Sequence, residues 1–463
     1  MTKQKLKELA NLETKYKIII MCIMCTIFAL LIPFWGGFLF CLFGSLLLAG
    51  IFLSPQESLS IFAYVFFFTA LSGRADGTHY AFCIVFFGML LKYIYETYKG
   101  KTKIAKFPLL MSVIFWMCSI LPMWNYSHFF GIAMSLMFLV PVYLIYIYRE
   151  EIDMININKC LFAGLVSSAV IGTILFNVLK ISQYDIIYLN TRLQYFTDNP
   201  NSIGFAGVMI VAGFIISIFK KRINWWTGLL NISITIFFAA QSGSKAFLLS
   251  LGLLIFISLL ILVFKDKKVA LITTASVAVA GLLLFLCFRN YFDYMLGRFL
   301  YTGTISIESV TTGRWEVWTA FLNNQFESPV NVWLGMGAWT EIFLPYNANT
   351  MLGCHSIYIE FFYYFGILGL VNLVLLIFAY SYNTQQEKGK VDMLIKVEDI
   401  LPLLMVFVLG VGEMVIFNRK SVFLIFAILY IFNGAKYVSK KSEKYERVKH
   451  IKQLRRSKDG TNK

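Results

Sequence analysis

Charged residues are scarce in this sequence, and their scarcity excludes an ordinary soluble protein. Only 14% of the 463 residues are charged and 59% are hydrophobic, whereas soluble domains are roughly half apolar and a quarter charged. No polar stretch is long enough to enclose a core of its own. Apolar runs long enough to cross a bilayer of about 30 Å recur instead along the whole chain. The sequence therefore predicts one polytopic membrane domain over residues 1–438, followed by a basic tail over residues 439–463.

The sequence also lacks the patterns of a disulfide scaffold and of a metal protein. Most of its eight cysteines fall in or beside apolar runs, where cysteine behaves as a small hydrophobe. Cys354 is the one clearly external cysteine, so neither a disulfide framework nor a cysteine metal site is predicted. The acidic residues expected outside the membrane are scattered, without an Asp-x-Asp pair, so no magnesium site is predicted either. No small-residue cleavage pattern follows the first apolar run, which is therefore expected to be a retained helix rather than a signal peptide.

About fourteen apolar runs have the length of transmembrane helices, and they predict an all-α fold, a polytopic membrane helix bundle with one large external loop. The third run is the shortest, and we expect it to be tilted, broken or re-entrant. The predicted crossings are 17–34, 37–53, 59–71, 80–95, 107–122, 129–148, 160–179, 203–219, 225–240, 246–264, 269–288, 357–380, 400–417 and 422–438.

The placement of lysine and arginine supports an even number of crossings. The formal net charge is +16, and the basic residues gather in short segments between apolar runs and in the C-terminal tail. With both termini in the cytoplasm, that side receives most of the positive charge, as the positive-inside rule requires. The tail can also contact anionic lipid headgroups. No folded basic face presents these charges to nucleic acid, so no nucleic-acid partner is expected.

Two longer segments, 180–202 and 289–356, are predicted to form the external, active-site face. Long connections in compact proteins are usually either functional or disordered. The second segment is rich in aromatic residues and poor in low-complexity polar sequence, which argues against disorder. Part of it has the apolar spacing of a helix lying at the membrane interface. The residues of that stripe are Arg314, Trp315, Trp318, Phe321 and Leu322.

Three basic residues and one histidine are predicted at or just outside the external helix ends. Arg192 and Arg314 lie in the two external segments, Lys245 lies in a tight turn, and His355 opens the helix after the long loop. Arginine binds phosphate oxygens through a planar fork, and histidine can take a proton near neutral pH. Each residue also has a plainer interpretation: the lysine can snorkel to the interface, the arginines can be ordinary loop cations, and the histidine can cap its helix.

Several short motifs follow one another in a fixed order around these residues. In that order, over roughly residues 192–370, the chain resembles the O-antigen polymerase and ligase family, the Wzy-type membrane glycosyltransferases. Lys245 stands where the family often has arginine, and Ser356 where it often has asparagine. The motifs are Leu193, Asn199-Pro200-Asn201, the Ser242–Lys245 turn, Gly313-Arg314-Trp315, Gly335-Met336-Gly337, His355 and Phe365-Gly366-Ile367-Leu368-Gly369.

The resemblance implies a polymerase of undecaprenyl-pyrophosphate-linked oligosaccharide repeat units. Such an enzyme builds a surface polysaccharide, a capsule or an O-antigen-like glycan, on the external face of the cytoplasmic membrane. The resemblance also implies a fold related to the C-type membrane glycosyltransferases and no metal or other cofactor. The expected partners are the lipid-linked donor and acceptor and the lipid bilayer, with a chain-length regulator as a further candidate.

The candidate residues suit this chemistry. Breaking a sugar–pyrophosphate bond expels an anion that is stable without protonation, so the site needs fixed positive charge more than a general acid. We expect Arg192 and Arg314, with Lys245, to hold the pyrophosphate. His355 is the best candidate for the base that activates the acceptor hydroxyl. The candidates for a sugar groove are Trp315, Trp318 and Trp339.

Two alternatives stay open at this point. A ligase that moves glycan to a different acceptor would use the same residues. A flippase or similar transporter of lipid-linked oligosaccharides can also have about fourteen helices, but a transporter is expected to carry charged residues at mid-membrane depth. The predicted crossings are almost free of charge in their middle parts and show no internal repeat, which favours the enzyme.

Overall fold

Helices dominate the computed structural model of this chain, as the apolar runs predict. The structure describes residues 3–72, 77–120, 129–182, 188–189, 192–193, 195–197, 199–265, 274, 289, 314–336, 342–344, 347–352, 356–388, 397–411 and 423–431. Within these residues the earlier helices are α1 (Lys3–Leu31), α2 (Phe38–Phe52), α3 (Pro55–Val65), α4 (Gly77–Tyr98), α5 (Lys106–Ile120), α6 (Phe129–Ile147), α7 (Met154–Gly172), α8 (Pro200–Phe219), α9 (Trp225–Ala240) and α10 (Lys245–Lys265). The later ones are α11 (Arg314–Phe326), α12 (Pro329–Leu334), α13 (Ile357–Lys388), α14 (Val397–Gly410) and α15 (423–431).

The expectation of a helical membrane protein is confirmed. By length and composition, 6 helical segments among the described residues are able to cross a membrane, and shorter apolar helices accompany them. The count of fourteen crossings stays a prediction. Almost all of the predicted crossing 269–288, and much of 422–438, lie outside the described residues. The 6 long segments are Glu13–Leu31, Tyr80–Tyr98, Met154–Val178, Pro200–Phe219, Lys245–Phe264 and Ile357–Leu376.

The third apolar run is not one regular α-helix. It begins at a capping box, in which Ser54 accepts from the backbone N–H of Glu57 and the Glu57 carboxylate accepts from the backbone N–H of Ser54. Pro55 occupies the first helical position, where its missing N–H costs nothing. After Val65 the helix tightens into a 3₁₀ segment, Phe66–Ser72. The structure thus shows a change of helix type within this short run, and the expected tilt, break or re-entry stays a prediction.

Helix α8 forms the centre of the bundle. It is the most buried of the 6 long helical segments, and it packs against α7, α9, α10 and α14. The Asn158 amide of α7 donates to the Ile210 carbonyl at 3.1 Å. At Gly213 a Cβ atom would lie only 2.1 Å from the Tyr430 hydroxyl, so the small residue permits the close approach of α15. Because α8 is central, the residues at its two ends lie near the middle of the two ends of the bundle.

Two short antiparallel ladders occur in the segments that connect the helices. Strand β1 (Tyr188–Leu189) pairs with β2 (Arg192–Leu193), and β3 (Ile342–Leu344) pairs with β4 (Asn347–Leu352). Both ladders belong to the two segments that are predicted to be external. The connecting segments that carry candidate residues thus contain short antiparallel strand pairs.

Ion pairs join several helices at the end of the bundle where α8 finishes, which we call the ion-paired end. Lys220, the residue after α8, lies 2.5 Å from Asp399 at the start of α14. Arg222 lies 2.8 Å from Asp153, the residue that caps α7. The backbone N–H of Asp153 in turn donates to the side chain of Gln56 in α3. These contacts hold the beginnings of three helices to the end of the central one.

A second polar group lies close to these ion pairs. Lys92 of α4 donates to the carbonyl of Leu53 at 2.6 Å, just before the cap of α3. Tyr148 donates to the Glu96 carboxylate at 2.7 Å. These two hydrogen bonds join α4 to the start of α3 and to the residue that follows α6.

Candidate functional site

At the opposite end of the bundle, which we call the loop end, the Arg192 segment is attached to the turn that carries Lys245. Arg192 lies in β2, and the backbone N–H of the next residue, Leu193, donates to the Gln241 carbonyl at 3.3 Å. The Tyr195 hydroxyl lies 3.4 Å from the Gln241 side-chain oxygen and donates to it. Gln241 is the C-cap of α9 and is followed at once by the Lys245 turn. The segments of two predicted pyrophosphate ligands therefore lie side by side.

The Asn-Pro-Asn motif has a direct structural explanation. Asn199 is the N-cap of α8, and its side-chain oxygen accepts from the backbone N–H of Asn201 at 2.8 Å. Pro200 takes the first helical position. Phe196 and Thr197 are fully buried just before the cap. The motif thus fixes the residue at which the central helix α8 begins. The Arg192 segment directly precedes the motif and therefore lies near the middle of the loop end.

The Lys245 turn is packed onto the first turns of α8. Gly243 adopts a φ of +59°, which reverses the chain at little steric cost. The Ser244 hydroxyl accepts from the backbone N–H of Phe247 at 3.3 Å and so caps α10. A Cβ atom at Gly204 of α8 would lie 3.0 Å from the Ser244 side chain. Lys245 is the first residue of α10 and is half-buried at this junction.

Arg314 begins α11, whose inner face is turned toward α13. Arg314 itself is half-buried. Val317, Phe321 and Gln325 follow at helical spacing and are buried. The Phe321 ring lies 4.7 Å from the Tyr363 ring of α13. The predicted interfacial stripe is therefore wrong at Phe321, because that side chain packs against protein and not against the membrane surface.

The three tryptophans proposed for a sugar groove do not share one environment. Trp315 is exposed, whereas Trp318 is partly buried and packs against the core. Trp339 lies outside the described residues. Trp315 is therefore the tryptophan of α11 that is open to a large ligand, and the groove itself stays a prediction.

Gly335 and Met336, the described part of the Gly-Met-Gly motif, meet the Phe-Gly-Ile-Leu-Gly motif in the structure, and Gly337 lies outside the described residues. Helix α13 breaks at Gly366, whose φ of 58° and ψ of −161° are not helical. A Cβ atom there would lie 2.6 Å from the Gly335 nitrogen and from the backbone of Trp333. At Gly335, which has a φ of +80°, a Cβ atom would lie 2.3 Å from the Tyr364 carbonyl oxygen. The two glycines thus let the segment after α12 lie directly against the broken backbone of α13.

Hydrogen bonds complete this junction. A break leaves the carbonyls of the preceding turn short of intrahelical donors. The Gln325 amide donates to the Phe362 carbonyl at 3.2 Å, and the Met336 backbone N–H donates to the Tyr363 carbonyl at 2.7 Å. The described part of the segment 289–356 is therefore fixed to α13, the helix that directly follows the candidate base.

His355 lies outside the described residues, but the start of its helix is described. The Ser356 carbonyl accepts from the backbone N–H of Glu360 at 2.9 Å, and Ser356 is buried. Glu360 is fully buried in the first turn of α13. The sequence carries one signal for this carboxylate: it is an acid inside a predicted crossing, a placement that is costly and usually functional.

The structure assembles the candidate residues in two groups joined through one helix. The Arg192 and Lys245 segments form the first group, and α11 with α13 forms the second. Helix α14 packs against α8, α10 and α13, and the Tyr358 hydroxyl of α13 donates to the Phe407 carbonyl of α14 at 3.1 Å. Helix α14 therefore contacts helices of both groups.

No group of three or more His, Cys, Asp or Glu side chains among the described residues is able to hold a metal ion. The expected metal independence stays a prediction.

Comparisons with protein families, with curated proteins and with solved structures find no match to this chain. The resemblance to the O-antigen polymerase and ligase family therefore rests on the motifs of the sequence, and it enters below as a proposal.

Proposed function

We propose that this chain is a membrane glycosyltransferase that polymerises oligosaccharide repeat units carried on undecaprenyl pyrophosphate. The observation that supports it best is the backbone junction between Leu193 and Gln241, since it holds two cation-bearing segments together at one end of the bundle. Because α8 is central and Asn199 caps its start, the two segments that carry these cations lie near the middle of that end. A diphosphate leaving group requires such a concentration of fixed positive charge.

Each candidate residue has a separate role in the proposed reaction. Arg192, Arg314 and Lys245 hold the donor pyrophosphate and stabilise the charge that develops as the glycosidic oxygen departs. His355 takes the proton from the acceptor hydroxyl on the opposite face of the donor sugar. Trp315 lies on the open side of α11 and is offered to the sugar chain together with Trp339. No metal or other cofactor takes part.

The proposal includes an arrangement in the membrane. The loop end faces the outside of the cytoplasmic membrane, both termini are cytoplasmic, and the bundle has fourteen crossings in a fold related to the C-type membrane glycosyltransferases. The product is a capsule or an O-antigen-like surface polysaccharide. A chain-length regulator would act from the same external side.

The ion-paired end favours an enzyme over a flippase. A transporter must open both ends of its pathway in turn. Here the buried pair Lys220–Asp399 and the pair Arg222–Asp153 tie α7, α8 and α14 together at one end. Opening that end would break the buried Lys220–Asp399 pair and the contact between Arg222 and Asp153. A site that is reached from the loop end alone requires no such step.

Deletion of the gene and analysis of the lipid-linked glycans tests the proposal. We expect single unpolymerised repeat units displayed on the outer surface, with polymerisation restored by the wild-type chain and not by Arg314→Ala. Lys103→Ala, which removes an exposed cation before α5, is the matched control and should restore polymerisation fully. Repeat units trapped on the cytoplasmic leaflet would instead identify a flippase. Long polymers that fail to reach their final acceptor would identify a ligase.

A further inference from the structure

Tyr195 has a backbone conformation that its side chain makes unfavourable. Its φ is +48°, in the left-handed region that glycine enters freely and bulky residues enter rarely. Among the described residues, Lys180 and Lys221 share this property, but both are exposed, whereas Tyr195 is only 1% exposed. A buried residue keeps such a conformation when its surroundings hold it there, and residues of this kind cluster at functional sites.

The side chain of Tyr195 is held by the last turn of α9. Its ring packs edge-on against the Phe238 ring, with the ring centroids 6.3 Å apart. Its hydroxyl lies 3.3 Å from the Phe238 carbonyl oxygen and 3.4 Å from the Gln241 side-chain oxygen, and it shares its proton between these two acceptors. Carbonyls in the last turn of a helix lack intrahelical donors, so the phenol supplies a donor that α9 itself does not provide.

Gln241 contacts the Arg192 segment twice, once through its backbone and once through its side chain. Its backbone carbonyl accepts from the N–H of Leu193, and its side-chain oxygen accepts from the hydroxyl of Tyr195. The nitrogen of the same side chain donates to the Phe237 carbonyl at 3.4 Å, which leaves the oxygen as the acceptor for the phenol. The two contacts define where β2, and with it the backbone of Arg192, lies against the end of α9.

The residue after Tyr195 is attached to a different part of the bundle. Phe196 is fully buried, and its ring stacks on the ring of Phe68, with the centroids 5.9 Å apart. Phe68 belongs to the 3₁₀ segment that follows α3. The unfavourable backbone at Tyr195 therefore lies between two attachments, one to α9 and one to the 3₁₀ segment, which together hold it in place.

Gln241 also determines where the Lys245 turn begins. It is the C-cap of α9, and four residues later Lys245 opens α10. Ser242 and Ser244, which lie between them, are buried. The position of the Arg192 backbone relative to the Lys245 turn therefore depends on the contacts that Gln241 makes. Stabilisation of a developing anion requires charges that are already in place, and a displacement of about 1 Å can lower the rate a hundredfold.

We propose that Tyr195 is a positioning residue of the pyrophosphate site. Its hydroxyl, through Gln241, sets the distance between the backbone of Arg192 and the Lys245 turn, so that both cations reach one diphosphate. This role rests on the proposed function. Tyr195 itself does not bind the substrate, since its side chain is buried and its hydroxyl donates to the two acceptors of α9.

Binding of undecaprenyl pyrophosphate to the purified full chain tests this role in two backgrounds. Tyr195→Phe keeps the ring and removes the hydroxyl, and we expect it to weaken binding by about tenfold, the equivalent of one hydrogen bond. In an Arg192→Ala chain, whose binding is already weakened, the addition of Tyr195→Phe should cause no further loss. A residue that acts only by placing Arg192 has no effect once Arg192 is gone, whereas a general loss of stability would weaken both chains.

Hydrogen exchange provides a second measurement, which needs no substrate. In the full chain, the backbone amide of Leu193 should exchange faster in Tyr195→Phe than in the wild type. Tyr380→Phe is the control for both measurements and should change neither, although it also removes a buried phenol, which lies 3.1 Å from the Ser112 hydroxyl. Unchanged exchange in Tyr195→Phe, or an equal loss of binding in both backgrounds, would overturn the positioning role. Unchanged binding by Arg192→Ala alone would contradict the proposed function, and the positioning role with it.

Discussion

The guanidinium of Arg314 differs from a lysine ammonium in shape rather than in charge. Arg314→Lys keeps the positive charge at the start of α11 but loses the planar fork. We expect weaker donor binding and turnover lower by roughly a hundredfold, since one preorganised donor on a developing anion contributes about 3 kcal/mol. The measurement is glycan polymerisation per unit of protein in the membrane, together with binding of a lipid-pyrophosphate analogue. Normal polymerisation by well-expressed Arg314→Lys and Arg314→Ala would remove this residue from the site.

His355 is expected to act in the chemical step alone. His355→Ala should bind the donor analogue almost normally while polymerising slower by on the order of a hundredfold or more, because a general base contributes mainly in the transition state. The activity of the wild-type chain should also fall at low pH as the imidazole is protonated, and the small residual activity of the variant should lose that dependence. If the variant lost donor binding and turnover equally, the histidine would be a binding or structural residue instead.

Among single residues, the sequence singles out the charged candidates more readily than it describes their surroundings. The cations that are predicted to be external stand out because the positive-inside rule opposes them on that side. Glu360 was visible in principle as an acid inside an apolar run, but its burial was not. The sequence does not predict that Phe321 points inward, because this depends on the helix against which α11 packs. Helical spacing identifies an apolar stripe but not the partner that the stripe contacts.

At the scale of elements, the break in α13 requires glycine. A residue with a Cβ atom is strained at the φ and ψ of Gly366 by about 1–3 kcal/mol, and its Cβ would also meet the Trp333 backbone at 2.6 Å. We therefore expect Gly366→Ala to lower the melting temperature of the purified protein and its abundance in the membrane. Gly335→Ala should do the same, because it faces the other side of the junction.

The control for these substitutions is Gly252→Ala in the middle of α10, where a Cβ atom would meet nothing within 4 Å. Alanine is a better helix former than glycine by about 1 kcal/mol, so this variant should be as stable as the wild-type chain or more so. Equal stability of the Gly366→Ala and Gly252→Ala variants would show that the junction contributes little.

Helices were predictable from the sequence where the sequence pattern that forms them is local. Apolar runs predict most of the described helices, and the capping residues of α3, α8 and α12 explain where those helices begin. The meeting of Gly335 with Gly366 was not predictable, because Gly335 lies in the segment 289–356 and Gly366 lies in the following helix, and no local spacing relates the two. The short ladders are not predicted for a similar reason: strands of two, two, three and six residues in irregular connections carry no recognisable period.

For the whole molecule, the proposed orientation is open to a direct test. In a chain without native cysteines, Asn323→Cys and Ser442→Cys are treated in intact cells with a reagent that does not cross the membrane. Asn323 is exposed on α11, so we expect labelling at position 323 and none at position 442 until the cells are opened. The reverse pattern would invert the topology and place the Arg314 side of the molecule in the cytoplasm.

Metal independence is likewise a property of the purified whole protein. The arginine-based account of leaving-group stabilisation expects polymerisation of the lipid-linked repeat unit to continue at the same rate in EDTA. Added magnesium should give no increase. Loss of turnover in EDTA, restored by magnesium, would mean that a divalent cation rather than the guanidinium groups neutralises the pyrophosphate.

The break in α13 also has a consequence for how the protein is made. Two carbonyls of this helix, those of Phe362 and Tyr363, accept hydrogen bonds from Gln325 and Met336. In hydrocarbon an unmatched carbonyl costs several kcal/mol. Both donors precede α13 in the chain, so they leave the ribosome first and can already be in place when the helix enters the membrane. A circular permutant that supplies α11 and α12 only after α13 would contain every contact of the native protein and still insert this helix poorly.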